Sequence, residues 1–149
     1  MLRDRNTVKR RPGLFLQPYV VAQLSGALIV QVVEGSEVTA TEYAVTSWLA
    51  VQRSATPSEL AHELGLAPTT LSAMIDRLAQ KGQIRRVPHP DDGRSYLLEL
   101  TPRGQKTNIR NSRRLERVLA DLRAELDGDP EEILEAMRRL EAALRRVLQ

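Results

Sequence analysis

The side chains best suited to act on another molecule lie between positions 68 and 94. Thr69, Thr70 and Ser72 bring three hydroxyl groups into four positions, and Ala73 beside them adds no bulk. Arg77, Lys81, Arg85 and Arg86 follow at short intervals. The run "PHPDDGRSYLLELTPRG" (88–104) then sets Asp92 and Arg94 on either side of Gly93. Hydroxyls on a slim surface can approach base edges or phosphates closely, while guanidinium groups pair with phosphates and enter narrow electronegative grooves. This chemistry recognises a polyanion; it does not make or break bonds. His62 and His89 are the only histidines and stand far apart, there is no cysteine, and no glycine-rich phosphate loop or acid–His–Ser pattern is present. Neither an enzyme nor a metal or other cofactor is expected.

Such residues need a scaffold, and the surrounding sequence specifies one. Thr39 with Glu42, and Thr56 with Pro57 and Glu59, spell two capping boxes, and Val38 can staple to Tyr43. The first helix runs to about Gln52 and offers Tyr43, Val45, Trp48 and Leu49 to a core. The second offers Leu60, Ala61 and Leu64 and stops at Gly65. Leu71, Met74, Ile75 and Leu78 fall at i, i+3, i+4 and i+7, which predicts a third helix over Pro68–Gln80 with one buried stripe, ended by Gly82. Its other face then carries Thr69, Thr70, Ser72, Ala73, Asp76 and Arg77. Residues 83–87 and 94–100 read as short strands around an Asp92-Gly93 turn. The predicted fold is mainly α with a small β-hairpin wing, a winged helix-turn-helix. In the wing, Pro88 and Pro90 limit flexibility and Arg94 stands near the tip. Asp92 either orients an arginine as a carboxylate–guanidinium pair or braces the loop.

Helices flank this unit. Residues 14–34 are apolar on most sides and should be buried, with Pro18 kinking the helix or delaying its start. A long helix over about 102–126 follows the wing. Asp129, Pro130 and Glu132 open the last one, where Ile133, Met137, Leu140, Leu144, Val147 and Leu148 make a near-heptad stripe. These outer helices carry more apolar surface than one small winged helix can cover. A homodimer is therefore predicted, with contacts through Leu16, Leu134, Met137, Leu140, Leu144 and Leu148. The chain divides into an arm and dimerisation helix (1–36), a winged helix (37–101) and C-terminal dimerisation helices (102–149).

Charge is unevenly spread. The 149 residues carry a net charge of +3, but residues 1–11 are net +4 and 53–117 net +5, while 12–52 and 118–149 are each net −3. A basic centre and a basic, polar arm over residues 1–12 suit a nucleic-acid partner. With aromatics at only 3%, the core must be aliphatic, as helical packing prefers. No run of about 18 apolar residues offers a membrane span, and no cleavable segment is evident, so a cytoplasmic protein is expected. Plainer readings stand beside the functional ones. Thr69 and Thr70 could be helix caps only, Asp92-Gly93 just a turn, and Arg85-Arg86 solvated edge protection. His62 reads as a surface or half-buried residue, and His89 as structural or phosphate-facing. Tyr19, Tyr43 and Trp48 could line a pocket or belong to the core.

The runs "VTATEYAV", "TPSELAHELGLAPTTLSAMIDRLAQKGQIRR" and "PDDGRSYLLELTPRG" resemble, in order and spacing, the MarR family of bacterial transcriptional regulators. The resemblance implies a homodimer whose two winged helices read a pseudo-palindromic operator in double-stranded DNA. In it, Pro68–Gln80 is the recognition helix, and Asp92 and Arg94 are the wing pair. The DNA-contacting set is then Thr69, Thr70, Ser72, Ala73, Arg77, Arg86, Asp92 and Arg94. It further implies a repressor relieved by a small organic effector. Three positions depart from the family pattern: Ala67 stands where a Ser or Asp cap is usual, Ala73 where a basic residue is frequent, and Gly93 where a second wing arginine is common. Those departures motivate an alternative, a winged-helix protein-interaction module without specific DNA binding.

Overall fold

Residues 13–148 are described by a computed structural model; the expected N-terminal arm lies outside them. Six helices and three strands follow in the order α1 (Leu16–Val32), α2 (Ala40–Gln52), β1 (Ser54–Ala55), α3 (Pro57–Glu63), α4 (Pro68–Gln80), β2 (Ile84–Pro88), β3 (Tyr96–Leu100), α5 (Pro102–Glu125) and α6 (Pro130–Val147). The strands form one antiparallel sheet in the order β1-β3-β2. The two-residue strand β1 has no sequence signal of its own. It pairs with β3 through Ser54↔Glu99 and Ala55↔Leu98 and covers that edge of the wing. The wing strands begin one and two residues later than the alternation suggests.

Both predicted capping boxes form. The Thr39 side chain accepts from the Glu42 N–H while Glu42 accepts from the Thr39 N–H, and Thr56 with Glu59 does the same at α3. Pro18 falls in the first turn of α1, where N–H groups lack intrahelical partners anyway, and the helix runs unbroken from Leu16, two residues after the expected start. At α6 the Asp129 carboxylate caps the Glu131 N–H, so the predicted box with Glu132 is not formed.

Among the described residues the buried apolar side chains all lie between positions 32 and 100. Val32, Val45, Leu49, Leu60, Leu71, Ile75, Leu78 and Leu98 are the most deeply buried of them. The whole Leu71, Met74, Ile75 and Leu78 stripe is buried as the spacing predicts, whereas Trp48, Leu64 and Tyr96 are only half-buried. Gly82, at φ +66, turns the chain from α4 into β2. Thr101 then joins the wing to α5. Its hydroxyl donates to the Gly82 carbonyl at 2.5 Å and accepts from the Gly104 N–H at 3.0 Å. Gly104 packs so tightly on the Gln83 carbonyl that a Cβ there would overlap its oxygen. This is the physical content of "LTPRG": a cap, a proline at the first helical position, and a glycine where two backbones meet.

The described chain falls into two compact units, one ending at Asn111 and one starting at Ser112. In the first, α1 departs from expectation. Only Val32 of the helix is buried, and Leu16, Tyr19, Leu24 and Val30 are exposed. A single chain has no second surface to cover a helix that is apolar all round. In the second unit, α6 has no buried residue, and Leu134, Met137, Leu144 and Leu148 are exposed while Leu140 is half-buried.

Candidate nucleic-acid interface

The helix α4 divides sharply into two faces. Its apolar stripe is in the core, and Thr69, Thr70, Ser72, Ala73, Asp76 and Arg77 are all exposed. Ala67, at the cap position, makes no side-chain hydrogen bond, and Pro68 has no N–H to satisfy. The first free amides, those of Thr69 and Thr70, therefore meet solvent with the positive end of the helix dipole behind them, which suits an anionic group. Thr69 and Thr70 do not cap this helix; they lie inside its first turn.

What fixes the roll of α4 was invisible as a functional signal in the sequence. Glu42, the box residue of α2, is completely buried. Its Oε1 accepts from Arg77 Nε at 3.3 Å, and its Oε2 from Lys81 Nζ at 2.7 Å and the Thr39 N–H at 2.9 Å. Burial pushes the Glu42 carboxyl up, but the bonds from Lys81, Thr39 and Arg77 outweigh it and hold it below its ordinary value of 4.5. Arg77 and Lys81 are thus tied at one end, although the Arg77 side chain remains 52% exposed.

The wing stands beside α4. In its loop the Asp92 carboxylate accepts from the Arg94 backbone N–H at 3.0 Å, and the Asp92 carbonyl accepts from the Ser95 N–H at 3.0 Å. Of the two readings of Asp92, the geometry favours the brace: it shapes the tip through the backbone and leaves the exposed Arg94 side chain outside that bond. His89 is structural as well, its Nδ1 accepting from the Asp91 N–H at 3.1 Å. Arg86 lies on the edge strand β2. Its Nη2 donates to Asp76 of α4 at 2.6 Å, and its guanidinium carbon sits 5.5 Å from the Tyr96 ring centre. It ties wing to helix. Its neighbour Arg85 faces Glu99 across the ladder, 2.8 Å away. A second polar cluster at the base of α5 joins Glu37 to Arg103 at 2.9 Å and to the buried Gln83 at 2.5 Å.

The predicted residues are therefore all exposed on α4 and the wing but are not equivalent. Thr69, Thr70, Ser72, Ala73 and Arg94 present free surface, Arg77 and Arg86 are partly engaged, and Asp92 is a brace. Glu42 and Asp76, which hold the cations, were read from sequence only as a helix-box residue and a surface residue. No local pattern announces a carboxylate that acts on a helix 35 positions away.

Two of the grooves of the first unit adjoin the winged helix. One of about 390 Å³ runs between α3, α4 and Tyr96, lined by Ala61, His62, Leu71, Ser72 and Ile75 among others. Another of about 500 Å³ is lined by Leu49, Arg53, Arg85, Glu99, Asn108 and Ile109. Tyr43 is a core residue, and neither Tyr19 nor Trp48 lines these grooves. Among the described residues no group of three or more His, Cys, Asp or Glu side chains could hold a metal ion, and no helix is long and apolar enough to cross a membrane.

Comparison with known proteins points the same way as the geometry. A family model described as the MarR family matches residues 38–96. The multiple antibiotic resistance protein MarR of Salmonella typhimurium is 36% identical over 86 residues, 58% of this chain and 60% of that protein, so the match spans well under the relative's full length. A crystal structure of mutant MarR from E. coli complexed with operator DNA superposes with a TM-score of 0.73 at 27% identity, over 91% of this chain and 94% of that one. The transcriptional regulator BldR from Sulfolobus solfataricus reaches 0.77 at 17% identity, over 87% and 93%, a likeness of fold alone.

Proposed function

We propose that the chain, whose residues 38–96 match the MarR family model, is a member of that family and a homodimeric, sequence-specific double-stranded-DNA-binding regulator of transcription, acting as a repressor. The observation that carries this reading is the division of α4: its apolar face is locked in the core, and its hydroxyl-bearing face is left open beside the wing. In the major groove Thr69, Thr70, Ser72 and Ala73 approach base edges, Arg77 and Arg86 meet phosphates, and Arg94 enters the minor groove from a tip that Asp92 braces. The winged helix (37–101) reads DNA, and 1–36 and 102–149 pair the two copies. The exposed apolar residues Leu16, Leu134, Met137, Leu144 and Leu148, with half-buried Leu140, are what a twofold partner covers. A small organic effector relieves repression, and the 500 Å³ groove with its two arginines and apolar floor is where it is sought.

The test is selection of bound duplexes from a random pool, followed by titration of the winning sequence at several salt concentrations. A pseudo-palindromic site is expected, with affinity falling steeply as salt rises. A flat salt response or the absence of any enriched site would sink the reading. That second result favours the alternative, a protein-interaction module. One observation speaks for it: Arg77, Arg85 and Arg86 are each paired with an acid of the same domain. Thermal-shift screening with phenolic acids and hydrophobic cations, repeated with DNA present, tests for the effector.

A further inference from the structure

We propose that Glu42 is the positioning residue of the recognition surface: its buried carboxylate takes Nε of Arg77 and Nζ of Lys81, and so aims the remaining Nη groups of Arg77 at a backbone phosphate of the duplex. The proposal rests on the DNA-binding reading above.

Capping alone does not account for Glu42. The chain contains its own control, since α3 opens with the same box. There Glu59 is exposed, and its hydrogen-bond partner among the described residues is Thr56, through the N–H at 2.7 Å and the hydroxyl at 3.0 Å. Glu42 has the same local duty, met by one bond from the Thr39 N–H. It is nevertheless fully buried, and both its oxygens take cations from another helix. A buried carboxylate stripped of those partners is strongly disfavoured, so the three groups stay together.

The consequence is geometric. Arg77 in the last turn of α4 and Lys81 at its C-cap are one turn apart, and anchoring both to one point of α2 sets how far α4 is rolled about its axis. An arginine has one Nε donor and two Nη groups. With Nε engaged, the planar fork can no longer swing freely, and the side chain that carries the Nη groups is still 52% exposed. Ala73 lies one turn before Arg77 and Ser72 next to it, so a phosphate held by Arg77 sets the height at which the small residues meet the bases.

This makes a prediction opposite in sign to simple electrostatics. Glu42→Gln keeps an oxygen for the Thr39 N–H and raises net charge by one. Charge counting therefore says that it binds DNA as well as or better than wild type. Loss of positioning says that it binds more weakly. Affinity is measured for wild type, Glu42→Gln, Arg77→Ala and the double variant, on the duplex enriched from the random pool and on a fixed mixed-sequence duplex, with folding checked by circular dichroism. Glu42→Gln is expected to weaken binding about tenfold, and to change nothing further once Arg77 is alanine. Equal or tighter binding by Glu42→Gln, or an equal loss with and without Arg77, overturns the proposal and leaves the regulator reading standing. If wild type binds neither duplex, both fall. If Glu42→Gln does not fold, Arg77→Lys, at an exposed position and with charge unchanged, carries the test: it is expected to lose nearly as much as Arg77→Ala, and full affinity with lysine overturns the proposal.

Discussion

At the scale of single residues, the interface is a matter of which charges are already spent. Arg85, Arg86 and Arg77 each have a carboxylate within 3.3 Å, while Arg94 stands on a braced tip. Arg94→Ala is therefore expected to weaken DNA binding about tenfold, on the scale of one lost groove contact, with an unchanged melting temperature. A gel-shift affinity within about twofold of wild type removes Arg94 from the interface. Glu42 has a second signature, in stability. Its carboxyl is held below its ordinary value of 4.5 in the folded chain, so the stability it contributes is present above that value and is lost as pH falls through the lower folded one. Denaturant midpoints of wild type and Glu42→Gln should differ near neutral pH and converge in acid. A gap that persists or widens in acid contradicts this.

At the scale of elements, junctions decide more than interiors. The "LTPRG" joint works because Gly104 lets α5 rest against the Gln83 carbonyl. Gly104→Ala forces that contact apart, at a cost of about 3 kcal/mol, and should lower the melting temperature by roughly 10 °C. An unshifted unfolding curve would mean that the wing slides freely on α5. The start of α4 offers the reverse experiment. Ala67 already has extended cap geometry, φ −62 and ψ 138, but no side-chain acceptor. Ala67→Ser should supply one and stabilise the chain by about 1 kcal/mol, read as a higher melting temperature. No gain would show that the new hydroxyl turns to solvent instead of the helix amides.

At the scale of the whole molecule, the open question is what covers the outer helices. Leu134, Met137 and Leu144 repeat along α6 at helical spacing and are exposed, as is most of α1. In a homodimer two recognition helices stand roughly 34–36 Å apart, one turn of duplex. Leu144→Glu sets a charge in the proposed interface and should turn a dimer into a monomer in analytical ultracentrifugation, with the winged helix still folded. An unchanged dimer mass would take α6 out of the interface. Weak operator binding by the resulting monomer is the corollary, since two half-sites then act singly.

Local patterns were enough for much of this molecule. Capping boxes at Thr39 and Thr56, the Leu71–Leu78 stripe and the Asp92-Gly93 turn each depend on residues a few positions apart, and such spacing is written directly along the chain. Order alone then marks α4 and the wing as the surface proposed to face DNA. Tertiary structure decided everything that joins distant segments: β1 against β3, Asp76 on Arg86, Gly104 on Gln83, and above all Glu42 on Arg77 and Lys81. The reason is the same in each case. A single carboxylate, a two-residue strand or a glycine carries no period, so its role exists only once folding has chosen its neighbours.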